Sequence, residues 1–351
     1  MTHTHSIFRS GAVLLAIVTL AAPVSNAAET PQFDSFYVFG DSLADNGNIF
    51  LTTKALQISP AVPPSETPHQ TYFNGRFSNG YVGFEHLWQQ LSGHAPGSPG
   101  GLKPFFASFS GPPPVAINFA FGGTGTPIAD LTPGGLLAPG LKGQVELLRL
   151  ALRGKKPSKQ ALFAIVTGAN DYRVDPYNVP MDPHDVVDNI VDAVERLYSL
   201  GARHMMVLDL PDLGLIPANS GNPGPPSQIS ALHNLLLDQA LVDLQTRFPK
   251  LHLIPVKLAP LFLELLSTLE SHVPALEVFS APGMSACLFV NPAVCQNVSP
   301  ALFNNLTLGF LFWDVVHPTA EAHHKLAQYL YEQLVASYST AISGEAVDRV
   351  N

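Results

Sequence analysis

The sequence predicts an α/β fold in which a mainly parallel sheet is covered by helices on both faces. Three observations carry this reading. Five apolar runs of strand length look buried on both sides, as parallel strands under helices must be. Segments of helical periodicity separate them, and such alternation implies a doubly wound sheet with right-handed crossovers. The chain has 351 residues, 46% hydrophobic and only 13% charged, which is ample material for one large core.

The elements follow in order. The first run, SFYVF (35–39), ends on Gly40, where the backbone can bend sharply. GYVGFEHLWQQL (80–91) has helical spacing and precedes the second run, VAINFA (115–120). GQVELLRLALRG (143–154) reads as the next helix and LFAIVTG (162–168) as the third strand. In PHDVVDNIVDAVERLYSLG (183–201), Val186, Val187, Ile190, Val191, Val194, Leu197 and Tyr198 recur at helical spacing and Gly201 ends the helix. HMMVLDL (204–210) and HLIPV (252–256) are the last two strands, with the helical segment 227–248 between them. LAPLFLELL (258–266) reads as a core-facing helix, and 318–336 as the final one. Long loops rich in Pro and Gly connect these elements, and no linker separates two cores, so residues 28–351 read as one domain.

Residues 1–27 have the form of a signal peptide: Arg9, the apolar stretch GAVLLAIVTLAA (11–22), then Ser-Asn-Ala at 25–27. The stretch is shorter than the roughly 20 residues a membrane span needs, so the expected location is secreted or periplasmic. In that compartment Cys287 and Cys295, the only cysteines, would close a short loop as a disulfide, two free thiols being the alternative. The net charge of −9 argues against a nucleic-acid partner. The apolar segment LKPFFASF (102–109) offers a loop for transient contact with a membrane or lipid surface.

Four short stretches could carry chemistry. Ser42 follows the first strand within Phe-Gly-Asp-Ser, placed either as a nucleophile or as a helix N-cap. Asp314 and His317 are three residues apart before Pro318, which can open a helix as its first residue. A neutral His317 could take a serine proton while Asp314 holds the other ring N–H, or the two could be a surface pair. Attack on an ester creates an oxyanion that needs preorganised donors. Gly122 and Gly123 after the second strand and the Asn170 amide after the third could supply them, or could be tight turns only. A metal site from His317, Glu321, His323 and His324 lacks the His-Glu-x-x-His arrangement. A Gly-x-Ser-x-Gly elbow and the glycine-rich nucleotide motifs are absent from the sequence.

Taken together, FGDSLADNGN (39–48), NFAFGGTG (118–125), GAND (168–171) and DVVH (314–317) resemble, in order, the motif blocks of the SGNH/GDSL hydrolases. The resemblance spans nearly all of the mature chain. NGRFSNG (74–80) and FWDVVHPT (312–319) look like the branch holding bacterial phospholipase/lecithinase/haemolysin proteins and plant GDSL esterases. It implies a flavodoxin-like three-layer α/β/α sandwich with a central, mainly parallel five-stranded sheet. It also implies a secreted serine carboxylester hydrolase working through an acyl-enzyme on lipid or other carboxylic esters, with no cofactor and no metal. Ser42 would be the nucleophile and, through its N–H, an oxyanion donor. Gly123 would be the second donor, with Gly122 its rival because the doubled glycine leaves the register open by one. Asn170 would be the third, His317 the base and Asp314 its orienting acid. The alternatives are an acyltransferase passing the acyl group to a sterol or other alcohol, and an inactive binding protein.

Overall fold

Phe36, Val38 and Phe39 are fully buried, and the strand that carries them lies third among six in a parallel sheet. A computed structural model describes Met1 and residues 32–109, 115–174, 178–271 and 297–348. Most of the expected signal peptide, with Cys287 and Cys295, lies outside the described residues. The elements run β1 (Ser35–Gly40), α1 (Asn48–Ala55), α2 (Gly83–Ser92), β2 (Lys103–Pro104), β3 (Ala116–Asn118), β4 (Asp130–Leu131) and β5 (Leu137–Ala138). Then come α3 (Leu141–Leu152), β6 (Ala161–Val166), α4 (Pro183–Leu200), β7 (His204–Leu208), α5 (Gly224–Arg247), β8 (His252–Val256), α6 (Leu258–Thr268) and α7 (Ala320–Asp348). The sheet order is β2-β3-β1-β6-β7-β8, every pair parallel, while β4 and β5 form a separate antiparallel ladder.

Successive side chains of a strand point to opposite faces, and β1 supplies both layers of core. Phe39 joins Phe119, Phe163, Met205, Val194 and Leu241 under α3, α4 and α5. Phe36 and Val38 join Phe84, Trp88, Ile254, Leu330 and Leu334 under α2 and α7. The three-layer arrangement is therefore the one expected. The sheet has six strands rather than five. The extra one, β2, is two residues long and includes Pro104, which has no N–H to give and is tolerated because the strand lies at an edge.

Other boundaries moved for local reasons. Pro318 does not open the last helix: Thr319 precedes it as the cap, its Oγ1 accepting the Ala322 N–H at 3.2 Å. At α4, Asp182 caps the helix by accepting the His184 N–H and Pro183 takes the first position. Within the segment 102–109, Leu102 and Phe105 are buried, Phe105 against Phe119 at 5.1 Å between ring centres, while Phe106 and Ala107 are exposed.

The end of β1 is held tightly. Gln144 of α3, fully buried, accepts the Gly40 N–H through Oε1 and donates Nε2–H to the Gly40 carbonyl, both at 2.8 Å. Gly40 has φ +156°, and a Cβ there would lie 2.1 Å from the Val166 carbonyl oxygen on β6. A methyl group cannot be seated without parting β1 from β6. Gly40→Ala should lose stability at the upper end of the about 1–3 kcal/mol typical of overpacking, read as a lower urea midpoint. An unchanged midpoint would show that the strand end can relax.

Candidate active site

After Gly40 the chain makes a single turn, with the Asp45 N–H reaching the Asp41 carbonyl at 2.9 Å, and no helix begins until Asn48. Ser42 sits on this turn and is not a helix cap. Its Oγ lies 2.8 Å from His317 Nε2, across 275 residues of sequence. On the other side of the ring, His317 Nδ1 lies 2.6 Å from Asp314 Oδ2. A carboxylate only accepts, so Nδ1 carries the proton; a neutral ring then leaves Nε2 free to accept the Ser42 hydroxyl.

Asp314 is 1% exposed and takes four donors. Oδ1 accepts the backbone N–H of Val316 at 2.8 Å and of His317 at 2.7 Å. Oδ2 accepts His317 Nδ1–H and the Tyr72 hydroxyl, the latter at 2.7 Å. Burial alone would raise this carboxyl, but the imidazole and the backbone N–H groups outweigh it and hold the group below its ordinary value. Burial and Asp314 together push the Tyr72 hydroxyl well up, so it stays protonated and donates. Buried Trp313 gives its indole N–H to the Thr71 carbonyl at 3.2 Å, which fastens the loop to the Tyr72 segment. Phe77 packs on the His317 ring with centres 5.1 Å apart.

The two glycines after β3 differ in what their N–H groups do. Gly122 N–H donates to Asp45 Oδ2 at 2.9 Å. Asp45, fully buried, also accepts the N–H groups of Gly47, Asn48 and Ile49. Gly123 N–H meets no acceptor among the described residues, and Gly123 lines the same cavity as Ser42. Its φ is +79° and a Cβ there would lie 2.6 Å from Pro133 Cδ. Of the pair, Gly123 is the one with an N–H to offer.

Asn170 stands in a one-turn 3₁₀ segment, Ala169–Tyr172, just beyond β6. Its Nδ2 donates to the Thr124 carbonyl at 3.2 Å, and its Oδ1 accepts from Arg173 Nη1 at 2.9 Å. Asp41, beside Ser42, is pushed up to about 6 by burial, opposed by the Leu43 N–H, His317 and the Asn170 amide. Ser42, His317, Gly123 and Asn170 all open onto a cavity of about 1170 Å³. Leu261, Phe262 and Leu265 of α6, with Phe312 and Leu326, form an apolar wall of it. The helix at 258–268 therefore faces the core and the cavity together, with Leu263 left exposed.

Of the alternative metal donors, Glu321 accepts the Gly309 N–H and His323 Nδ1 accepts the Gly83 N–H. They point to separate partners, and among the described residues no three His, Cys, Asp or Glu side chains gather in a metal-binding group. Sequence reasoning missed Tyr72 and Arg173. Tyr72 lies in a Pro-rich loop 242 residues from its partner, with no local signal. Arg173 follows GANDY directly, so only its nearness in sequence to Asn170 hinted at it.

A family model described as GDSL-like lipase/acylhydrolase matches residues 36–330. The chain belongs to this family. This GDSL-like lipase/acylhydrolase is a carboxylic ester hydrolase in class. It is 29% identical over 345 residues to the phosphatidylcholine-sterol acyltransferase of Aeromonas hydrophila, covering 90% of this chain and 93% of that one. To a GDSL esterase/lipase of Arabidopsis thaliana it is 25% identical, covering 86% of this chain and 88% of the relative. Among solved structures, the lipase/acylhydrolase of Enterococcus faecalis aligns with a TM-score of 0.34 and 12% identity, covering 86% of this chain and 96% of that one.

The depressed Asp314 carboxyl makes a stability prediction with a definite sign. Its contribution is complete above the ordinary carboxylate value of 3.8 and is lost as the pH falls through its lower folded value. Urea unfolding of the wild type and Asp314→Asn should give a gap that holds down to about pH 5 and narrows below 3.8. A gap that persists undiminished at the acid end would contradict the ionised, paired state.

Proposed function

We propose that Ser42 is the nucleophile of a two-step acyl transfer that hydrolyses carboxylic esters with long apolar acyl groups. The observation that carries this is the 2.8 Å contact between Ser42 Oγ and His317 Nε2, with Asp314 behind the ring. As Oγ attacks the ester carbonyl carbon, its proton passes to Nε2, and the imidazolium so formed faces the Asp314 carboxylate. The carbonyl oxygen becomes an oxyanion, met by the N–H groups of Ser42 and Gly123 and by the Asn170 amide. Collapse breaks the bond to the alcohol, which leaves with the proton from Nε2. Water then gives a proton to Nε2 and attacks the acyl-enzyme, and the second collapse returns the proton to Ser42 and frees the acid.

The apolar wall of α6 supports a lipid acyl group as the part bound beside the serine. The Aeromonas relative, named as a phosphatidylcholine-sterol acyltransferase, favours a second reading in which an alcohol such as a sterol replaces water at the acyl-enzyme. One experiment addresses both. Purified protein given phosphatidylcholine vesicles containing a sterol should release free fatty acid, and Ser42→Ala should release none while unfolding like the wild type. Steryl ester as the main product would decide for transfer, and wild-type turnover by Ser42→Ala would remove the serine from the mechanism.

The wall has its own test. Leu265 is buried on the cavity face of α6. Leu265→Trp should cut kcat/KM on long-chain nitrophenyl esters by roughly 10–200-fold, the range a single misfitted methylene is worth in an apolar pocket, and spare the acetyl ester. Equal losses on both would place the acyl chain elsewhere.

A further inference from the structure

Arg173 lines the same cavity as Ser42, yet its guanidinium is turned onto the protein. Nη1 donates to Asn170 Oδ1 at 2.9 Å and to the Gly123 carbonyl oxygen at 3.1 Å. Nη2 donates to the Leu131 carbonyl oxygen at 2.9 Å. One planar cation thus touches both residues that flank the place where a substrate oxyanion would form, and the β4 strand beyond them. Neither residue is fixed by a sheet or a long helix: Gly123 is in the loop after β3, and Asn170 is in a single turn after β6. Beside Arg173, Asn170 Nδ2 donates to the Thr124 carbonyl at 3.2 Å, and the neighbouring Asp171 carboxylate accepts the Thr126 hydroxyl at 2.7 Å and the Thr126 N–H at 2.9 Å, so the loops already meet here and Arg173 adds the contact to Gly123 itself.

We propose that Arg173 is a positioning residue that assembles the oxyanion hole, acting through Asn170 and Gly123 rather than on the substrate itself. The inference rests on the acyl-transfer reading of the site. Two physical effects act together. Bonds from one rigid fork to Asn170 Oδ1 and to the Gly123 carbonyl set the distance between the two loops, which a flexible ammonium cannot reproduce. The cation also draws on Asn170 Oδ1, and a hydrogen-bonded chain of this kind polarises the amide so that its N–H groups become stronger donors. A phosphate-binding role fits less well, because both terminal nitrogens already donate to protein oxygens.

The test is a double-mutant cycle on a soluble nitrophenyl ester, with Arg173→Lys, Arg173→Gln, Asn170→Ala and the double variant Asn170→Ala/Arg173→Gln. Asn170→Ala should lower kcat by about 10²–10³, the usual cost of one oxyanion donor. Arg173→Gln should lower kcat by roughly tenfold or more with KM changed little, because the hole acts on the transition state. Arg173→Lys should fall with it, since charge without the fork does not hold the loops. The double variant should lose clearly less than the product of the two single losses. Affinity for an alkyl boronic acid, whose adduct on Ser42 occupies the hole, should drop in step with kcat.

Losses that multiply independently, a wild-type kcat in Arg173→Gln, or a loss confined to KM would each overturn the proposal. Full activity in Arg173→Lys would show that charge alone suffices and overturn it equally. Ser42→Ala separates the two levels: its retained activity would sink the acyl-transfer reading, whereas an inert Ser42→Ala beside unaffected Arg173 variants would sink this inference alone.

Discussion

A carboxylate almost wholly removed from water must be compensated or it will not stay ionised, and Asp314 is the group on which this constraint falls. Its four donors divide the work. The Val316 and His317 N–H groups fold the turn around Oδ1, which fixes where the imidazole starts. The Tyr72 hydroxyl comes from a loop 242 residues away and ties the turn to the wall of the cavity. The fourth donor is the imidazole, whose tautomer is set by that bond, so the opposite nitrogen is presented to Ser42 as an acceptor. Satisfying one buried charge therefore decides loop shape, ring orientation and the tautomer of the neutral ring together.

The sheet supplies the other half of the geometry. The chain runs from β1 to β2 and β3 on one side and then crosses to β6 on the other, so the strand order reverses around β1. Loops diverge at such a point and leave a crevice beyond the strand ends. Ser42, Gly123 and Asn170 each follow one of the three adjacent strands β1, β3 and β6. Asp45 links two of these loops by accepting the Gly122 N–H together with those that begin α1. Arg173 and the Asn170–Thr124 bond link the third. The crevice is thus framed by topology and closed by side chains.

Five of the six sheet strands are legible in the sequence because burial writes short, largely apolar runs, even at the β8 edge where Pro255 is exposed. β2 leaves no such trace, being two residues at an edge. Helix α1 is equally silent, because its buried residues are Asn48, Ile49 and Thr53 rather than an apolar stripe. The tandem Gly122-Gly123 shows where a bare backbone is needed but not which N–H is already taken; that depends on a carboxylate 77 positions upstream. Tyr72 and Arg173 escape for the same reason, since their meaning lies in the atoms they meet across the fold. Motif spacing reports strand ends well and reports side-chain partners across loops poorly.

The cavity and the hydrogen-bonded centre also divide the energetics. In the proposed reading, burying an acyl chain against α6 would be worth about 0.8 kcal/mol per methylene, but the chain would be buried alike before and during the reaction. Such uniform binding lowers KM and leaves the chemical barrier nearly unchanged. The oxyanion exists only after attack, so donors aimed at it act on the barrier itself. The last helix connects the two regions mechanically: Thr319 caps it two residues after His317, and Ala322 and Leu326 on its first turns line the cavity. An acyl chain pressed against that helix would bear on the same support that holds His317. In the proposed mechanism, chain length would then reach the chemistry mainly through how the ester is registered against Ser42, and little through the donors assigned to Gly123 and Asn170.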